Sequence, residues 1–364
     1  MKLNVNKDNF LKALQKVTNI IGTRSTLPVL GNVLLEAGAG KLTLTTTDLE
    51  LRITTKIDAE IEIEGKTTIR AKKLLSLVSK FIGDKISMNC NEKHHTEIKC
   101  GTSNFTLLGL PADDFPVPVT FSGVRRCKFK QNEFARIFDQ ISYAVSLDDS
   151  RKALHGILCS VKDNTFTAVA TDGKRLALVE RIPDDFSGSE GDVIIPLKSA
   201  TEVKRLMEKD GDVIVEIGEK QALFSTNNLV VTTKLIEGNY PNYRQVIPAA
   251  FTKKVEVPTQ QFIYKLELVA TALSETNAFI KIEFDNNKLN FEAASTEIGE
   301  GKDYIDIEYK DEKLAISFNP DFIADPFRHS DADKVVIKMN DGFNPIAIEG
   351  GDGFLYVMMP MRNK

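Results

Sequence analysis

Tryptophan is absent, cysteine and histidine number only four each, and no long apolar run occurs anywhere. The cysteines stand at 90, 100, 127 and 159 and form neither a C-x-x-C pair nor a dense framework, so reduced thiols are expected. The longest apolar stretch, Leu355 to Met361, contains a proline and falls far short of the roughly 18 residues a spanning helix needs. The first eight residues, Met1 to Asp8, lack the apolar core of a secretory signal, so a cytoplasmic location is expected. Excess charge of one sign is also missing: 47 Lys+Arg against 51 Asp+Glu leave a formal net charge of −4. That excludes a uniformly basic nucleic-acid binder and requires any cationic footprint to be local. What is there is ordinary for globular protein, 42% apolar and 27% charged over 364 residues, enough for two or three domains with their own cores.

The chain repeats itself three times. Phe10, Phe134 and Phe262 each open an apolar-periodic segment, spaced by about one third of the chain. Leu42-Thr43-Leu44-Thr45-Thr46-Thr47-Asp48 is echoed by Phe166-Thr167-Ala168-Val169-Ala170-Thr171-Asp172, and more faintly by Leu289 to Ser295. Near the unit ends, Leu110 with Phe115-Pro116 matches Leu235 with Tyr240-Pro241. Domains are therefore expected over 1–121, 122–248 and 249–364. Within the first, Phe10, Leu14, Val17 and Ile21 form a helical stripe, and a second helix is expected over 72–82 with Lys73 and Lys80 on one side. Helices are also expected over 132–145 and 258–273, and others opening at Pro196 and at Asn319-Pro320. Between them lie alternating strands. The order helix, sheet, helix, sheet gives an α+β fold without βαβ units or a Gly-rich strand-to-helix turn, which excludes Rossmann and P-loop enzymes.

Three features bear on chemistry. Cys90, His94, His95 and Cys100 are a candidate metal cluster for an enzyme, against the plainer reading of a polar hairpin tip between strands from Ile86 to Cys100. No G-x-S-x-G or H-E-x-x-H occurs. Lys198, Arg205 and Lys209 are placed on one helical face with Glu202, which reads as a salt-bridged solvent face or, joined by Lys12, Lys16, Lys73 and Lys80, as a phosphate-facing stripe. The terminal Leu355-Tyr356-Val357-Met358-Met359-Pro360-Met361-Arg362 reads as core or as an adaptable partner surface.

Six ordered blocks resemble the bacterial DNA polymerase III beta subunit family, the sliding clamps: Arg24 to Leu35, Thr46-Thr47-Asp48-Leu49-Glu50, Leu110 to Pro116, Val169 to Ala177, Glu237 to Arg244, and Met359-Pro360-Met361-Arg362. The resemblance spans the whole chain. It implies three clamp domains per chain, each with two helices on the inner side and antiparallel sheets outside, and a homodimer closing a pseudo-sixfold ring around duplex DNA without reading its sequence. It implies a non-enzymatic processivity factor with no cofactor and no membrane. Its partners would be the replicative polymerase catalytic subunit, the clamp loader, and other polymerases and repair proteins that dock linear peptides.

For the peptide groove the resemblance implies a first subsite of Leu154, Thr171, Gly173, Lys174, Arg175, Leu176, Pro241, Val246, Val357 and Met359. A second would hold Asn319, Phe322, Pro345, Pro360, Met361 and Arg362. Arg24 and Lys198 match DNA-contacting positions, whereas Lys12, Lys16, Lys80, Arg205 and Lys209 rest on the helix pattern. At ring closure, Phe105 and Leu107 would meet Ala272 and Leu273, and Lys73 would face Glu297 and Glu300. Lys174 stands where the family often has His, Phe322 where Tyr is common, and Pro326 is expected to interrupt the final helix.

Overall fold

The computed structural model describes residues 1–22, 27–148, 150–274 and 279–361. Six α-helices occur among them: α1 Lys7–Thr18, α2 Ala71–Val78, α3 Gln131–Ile141, α4 Leu197–Leu206, α5 Thr259–Ala270 and α6 Pro320–Arg328. The first five are entered directly from a strand, and α6 follows its strand after the single cap residue Asn319. Phe10, Phe134 and Phe262 all sit at the fourth helical position and are fully buried, so the repeated phenylalanine is the first core anchor of each leading helix. All strand pairs are antiparallel.

The chain forms two compact units. The first comprises Met1–Asn132, Asp184–Ser189 and Arg205–Leu235. Its fourteen strands share one sheet, in which Leu51–Asp58 of the first repeat pairs with Leu229–Lys234 of the second, Arg52 opposite Thr232. The second unit comprises Glu133–Pro183, Glu190–Lys204 and Ile236–Lys364. It holds an eight-stranded sheet in which Arg175–Arg181 pairs with Phe354–Met358, Leu176 opposite Val357, and a separate four-stranded sheet. The central repeat is divided between the two units because each of its sheet halves continues a neighbouring repeat's sheet.

Several helix ends differ from the sequence expectation. α2 stops at Val78, and Lys80 lies in the following turn. Phe81 still packs inward, but Ile82 is 94% exposed. α4 begins after Pro196, which ends the preceding strand, and stops at Leu206. The Glu208 N–H donates to Gln131 Oε1 (3.0 Å), and the Gln131 amide donates to the Asp210 carbonyl (3.1 Å), so a side chain takes over the bonds a further turn would make. Lys209 is therefore off the helix. Glu202, expected beside the cations, is 7% exposed and faces inward. α3 ends at Ile141 and is followed by a 3₁₀ turn, Ser142–Ala144. α6 contradicts its expected interruption: it runs through Pro326, which is buried.

Candidate functional site

The echoed Thr-Asp pairs build the same turn twice. Thr171 Oγ1 donates to the Arg175 carbonyl (2.6 Å) and accepts from Gly173 N–H (3.1 Å), while Asp172 Oδ1 accepts from the N–H groups of Lys174 (2.8 Å) and Arg175 (3.0 Å). In the first repeat, Thr47 Oγ1 donates to Leu51 O (2.9 Å) and Asp48 Oδ1 accepts from Glu50 (3.0 Å) and Leu51 (2.7 Å). Both turns require a left-handed residue, Leu49 at φ 79° and Gly173 at φ 87°. The bonds lie within four residues, so Thr and Asp alone specify them. The turns differ in the residue that closes them, Leu51 in the first repeat and Arg175 in the second.

Arg175 gathers the region around itself. Its Nε meets Asp172 Oδ2 (3.0 Å), one terminal nitrogen meets Asp325, and the other donates to the Tyr143 carbonyl (2.6 Å). Its guanidinium lies 4.0 Å from the Phe322 ring centroid. The side chains of Arg175, Asp172 and Asp325 are 11%, 17% and 16% exposed. Burial pushes the Asp325 carboxyl up, and Arg175 beside it pulls it back. Arg175 thus spends its donors on the protein and offers a ligand chiefly a flat, apolar-backed surface. Asn319 caps α6, accepting from Asp321 N–H (3.0 Å) and Phe322 N–H (3.1 Å), and so orients Phe322.

The terminal segment is laced into this frame. Met359 N–H donates to the Lys174 carbonyl (3.2 Å), and Met361 N–H donates to the Ser317 carbonyl (2.8 Å). The methionine side chains themselves are not buried: Met359 is 45% and Met361 42% exposed. The strand that leads into them enters, through Val357, an apolar cluster containing Leu158, Val169, Leu176 and Leu178, flanked by Tyr240, Tyr243 and Ile247. Leu154 is buried, Thr171, Phe322, Pro345, Asn319 and Pro360 are half-buried, and Gly173, Lys174, Pro241 and Val246 are exposed. The register places Ile346 opposite Met358, which brings Pro345 beside Met359. Fifteen of the sixteen expected groove residues belong to one compact unit, and two of them, Leu176 and Val357, are part of this apolar cluster; Arg362 lies outside the described residues. Phe343 was missed. It is 76% exposed in a turn held by Asp341, two residues before Pro345, and the signal was an apolar residue inside Asp-Gly-Phe-Asn-Pro.

Of the expected cations, Lys12, Lys80, Lys198, Arg205 and Lys209 are exposed. Lys16 is instead paired with Glu208 (2.6 Å), and Arg205 donates to the Lys16 carbonyl (2.7 Å). Arg24 lies outside the described residues.

Of the residues expected at ring closure, Phe105, Leu107 and Glu300 lie on edge strands. Ser103–Leu110 pairs with Gly65–Arg70 only at Gly109 and Leu110, so Ser103 to Leu108 have one side unpaired in this sheet. Phe105 is 48% exposed and Leu107 half-buried there. In the other unit, Gly299–Asp306 is the edge of the four-stranded sheet. Ala272 and Leu273 are half-buried, and Lys73, Glu297 and Glu300 are exposed. Leu108, Tyr264, Leu268, Ile298 and Tyr304 are exposed apolar residues that the sequence reading passed over. The signal was in α5: Phe262, Leu266 and Val269 fill its inner face, yet Tyr264 and Leu268 remain, so the helix is apolar on more than one side.

The Cys90 to Cys100 segment is the expected hairpin, Lys85–Cys90 with His95–Cys100. Cys90 pairs opposite Thr96 near the tip, whereas Cys100 stands at the far end, its thiol against the Ile82 carbonyl. His94 Nδ1 meets Thr67 Oγ1 (3.3 Å). These four side chains therefore do not converge, and among the described residues no group of three or more His, Cys, Asp or Glu is arranged to hold a metal. The metal-enzyme alternative falls with that geometry.

Comparison with known proteins gives the same reading along the whole chain. The N-terminal, central and C-terminal domains of the DNA polymerase III beta subunit match residues 1–119, 128–242 and 244–362. The beta sliding clamp of Chlamydia muridarum is 30% identical over 362 residues, covering all of this chain and 99% of that protein. That of Pseudomonas putida is 31% identical over 366 residues, with both chains covered in full. A sliding clamp from Pseudomonas aeruginosa, solved bound to griselimycin, superposes with a TM-score of 0.95 at 31% identity over the whole of both chains. One from Bacillus subtilis has the same fold, TM-score 0.95 at 23% identity. With the three repeats, the twice-built turn and these full-length matches in agreement, the chain belongs to the DNA polymerase III beta subunit family, the beta sliding clamps.

Proposed function

We propose that two copies of this chain, a DNA sliding clamp and processivity factor by family, join head to tail into a ring around duplex DNA and carry polymerases and other partners on a peptide groove. The groove is that of residues 154, 171, 173–176, 241, 246, 319, 322, 345, 357 and 359–362, with Phe343 added at its rim. The observation that supports it is the terminal segment: backbone pinned at Lys174 and Ser317, with Met359 and Met361 left exposed directly after a strand whose Val357 belongs to a buried apolar cluster. A pinned chain end that keeps large apolar side chains in water is suited to bury them against a partner. An extended peptide with leucine and aromatic anchors fits that surface.

Domain boundaries at 1–121, 122–248 and 249–364 accompany this reading, as does a non-catalytic role in the cytoplasm, with no cofactor required. No helix among the described residues is long and apolar enough to cross a membrane. Ring closure uses the two unpaired edges, Ser103 to Leu108 on one copy and Gly299–Asp306 on the other, with Phe105 and Leu107 against Ala272 and Leu273. An uncovered edge invites strand addition, and a closed ring leaves none. DNA is held by topology and by weak contacts from Lys12, Lys80, Lys198, Arg205, Lys209 and Arg24. Lys16 joins them only by leaving Glu208, a solvent-exposed pair worth about 1 kcal/mol or less.

Anisotropy of a labelled extended hexapeptide, with one leucine and one phenylalanine anchor, tests the groove. Truncation before Met359 should abolish binding and leave the dimer intact; a truncated chain that binds equally well refutes the assignment. Retention on nicked circular DNA, lost when the circle is linearised, tests the ring.

A further inference from the structure

We infer that Pro326 and Tyr356 are a matched pair that positions the Phe322 end of the groove, the tyrosine hydroxyl supplying the hydrogen bond that the proline removes. The inference rests on the groove reading above.

Pro326 is the seventh residue of α6. A proline there has no N–H for the carbonyl four residues earlier, and its ring crowds that carbonyl. The carbonyl in question belongs to Phe322. It is not left empty: Tyr356 Oη–H donates to Phe322 O at 2.8 Å. Tyr356 is fully buried in the strand Phe354–Met358. Burial drives its phenol well above the ordinary range, so it remains a donor. A buried carbonyl without a partner is costly, which gives the hydroxyl a defined task.

The contact joins two parts of the groove. Phe322 presents its ring to Arg175 while its carbonyl holds Tyr356. The strand carrying Tyr356 runs directly into Met359, Pro360 and Met361. One hydroxyl therefore ties the helix bearing the aromatic wall to the strand bearing the methionines. Any ordinary residue at 326 would bring its own N–H, and the helix would then close its own bond to Phe322 O. The hydroxyl's oxygen also faces the Arg175 guanidinium, but the bond it donates to Phe322 O matters because the proline is there.

The test compares Tyr356→Phe in two backgrounds of the full-length protein, the native chain and Pro326→Ala. Affinity for the labelled hexapeptide and melting temperature are read for each. In the native chain Y356F should weaken the peptide by about fivefold and lower the melting temperature, since it strands a buried acceptor. In the P326A chain the same change should alter affinity by less than about twofold, a coupling of the size expected for groups in direct contact. Equal effects of Y356F in both backgrounds, or no effect in the native chain, overturn the pairing. If the native protein fails to bind the peptide at all, the groove reading fails and the positioning role with it. That outcome is distinct from a native protein that binds and variants that do not couple.

Discussion

Replacing Arg175 with lysine keeps the charge and removes the fork, so it separates geometry from electrostatics. The guanidinium satisfies Asp172, Asp325 and the Tyr143 carbonyl at once, with all three charged side chains less than one-fifth exposed. A lysine ammonium on its flexible stem reaches one of these carboxylates, leaving the other and a carbonyl without their donor. Both lost bonds have the charged guanidinium as donor and cost about 1.5 to 3 kcal/mol each, of which the retained ammonium contact offsets part, so the expected loss is about 3 kcal/mol. For a cooperative unit of roughly 200 residues that is a fall of about 6 to 12 °C in melting temperature. Circular dichroism is the appropriate monitor because the chain has no tryptophan. Peptide affinity should fall at least about tenfold, because the Phe322 ring loses the plane it faces. An R175K protein that melts within about 2 °C of the native protein and binds the peptide as tightly would refute the claim that this arginine organises the groove.

Three further outcomes are expected. Asp139 is held well below the usual carboxylate range, first by its contact with His329 Nδ1 (3.2 Å) and then by Lys204 (2.9 Å). A depressed folded value means that this stabilisation is present above the ordinary value near 4 and is lost as pH falls below it. Asp139→Asn should therefore destabilise by about 1 kcal/mol at neutral pH, after allowance for solvent screening. The gap should narrow in melts below pH 4, and a gap constant from pH 7 to 3 contradicts the assignment. Phe105→Glu places a charge at an exposed edge position and should weaken self-association by about a hundredfold; sedimentation should report the monomer mass, and an unchanged dimer would argue for another interface. Phe343→Trp creates the sole tryptophan, whose emission should shift to the blue when the hexapeptide binds, whereas a silent spectrum removes Phe343 from the groove rim.

The sequence by itself determined whatever depends on neighbours along the chain. The Thr-Asp pairs at 47/48 and 171/172 and the Asn319 cap close their interactions within a turn or so, so the echo and the cap were visible in the sequence, and the repeated Phe of each leading helix showed through its helical spacing, although its packing partners are distant in the chain. The helical cation stripe was only half legible, because helix ends are set by tertiary partners: Gln131 stops α4 before Lys209, and Glu208 claims Lys16 across most of two repeats. The α6 proline shows the same division. Sequence alone reads Pro326 as a break, since the missing N–H is local. Tertiary structure keeps the helix by bringing Tyr356 to the freed carbonyl. Arg175 reaches Asp325 over a separation of 150 residues, and Met359 reaches Lys174 through strand register. The near-neutral charge fixed only that any cationic surface must be local. Which cations stay exposed and which are spent on protein was decided by packing, because a lysine's partner is chosen by distance in space.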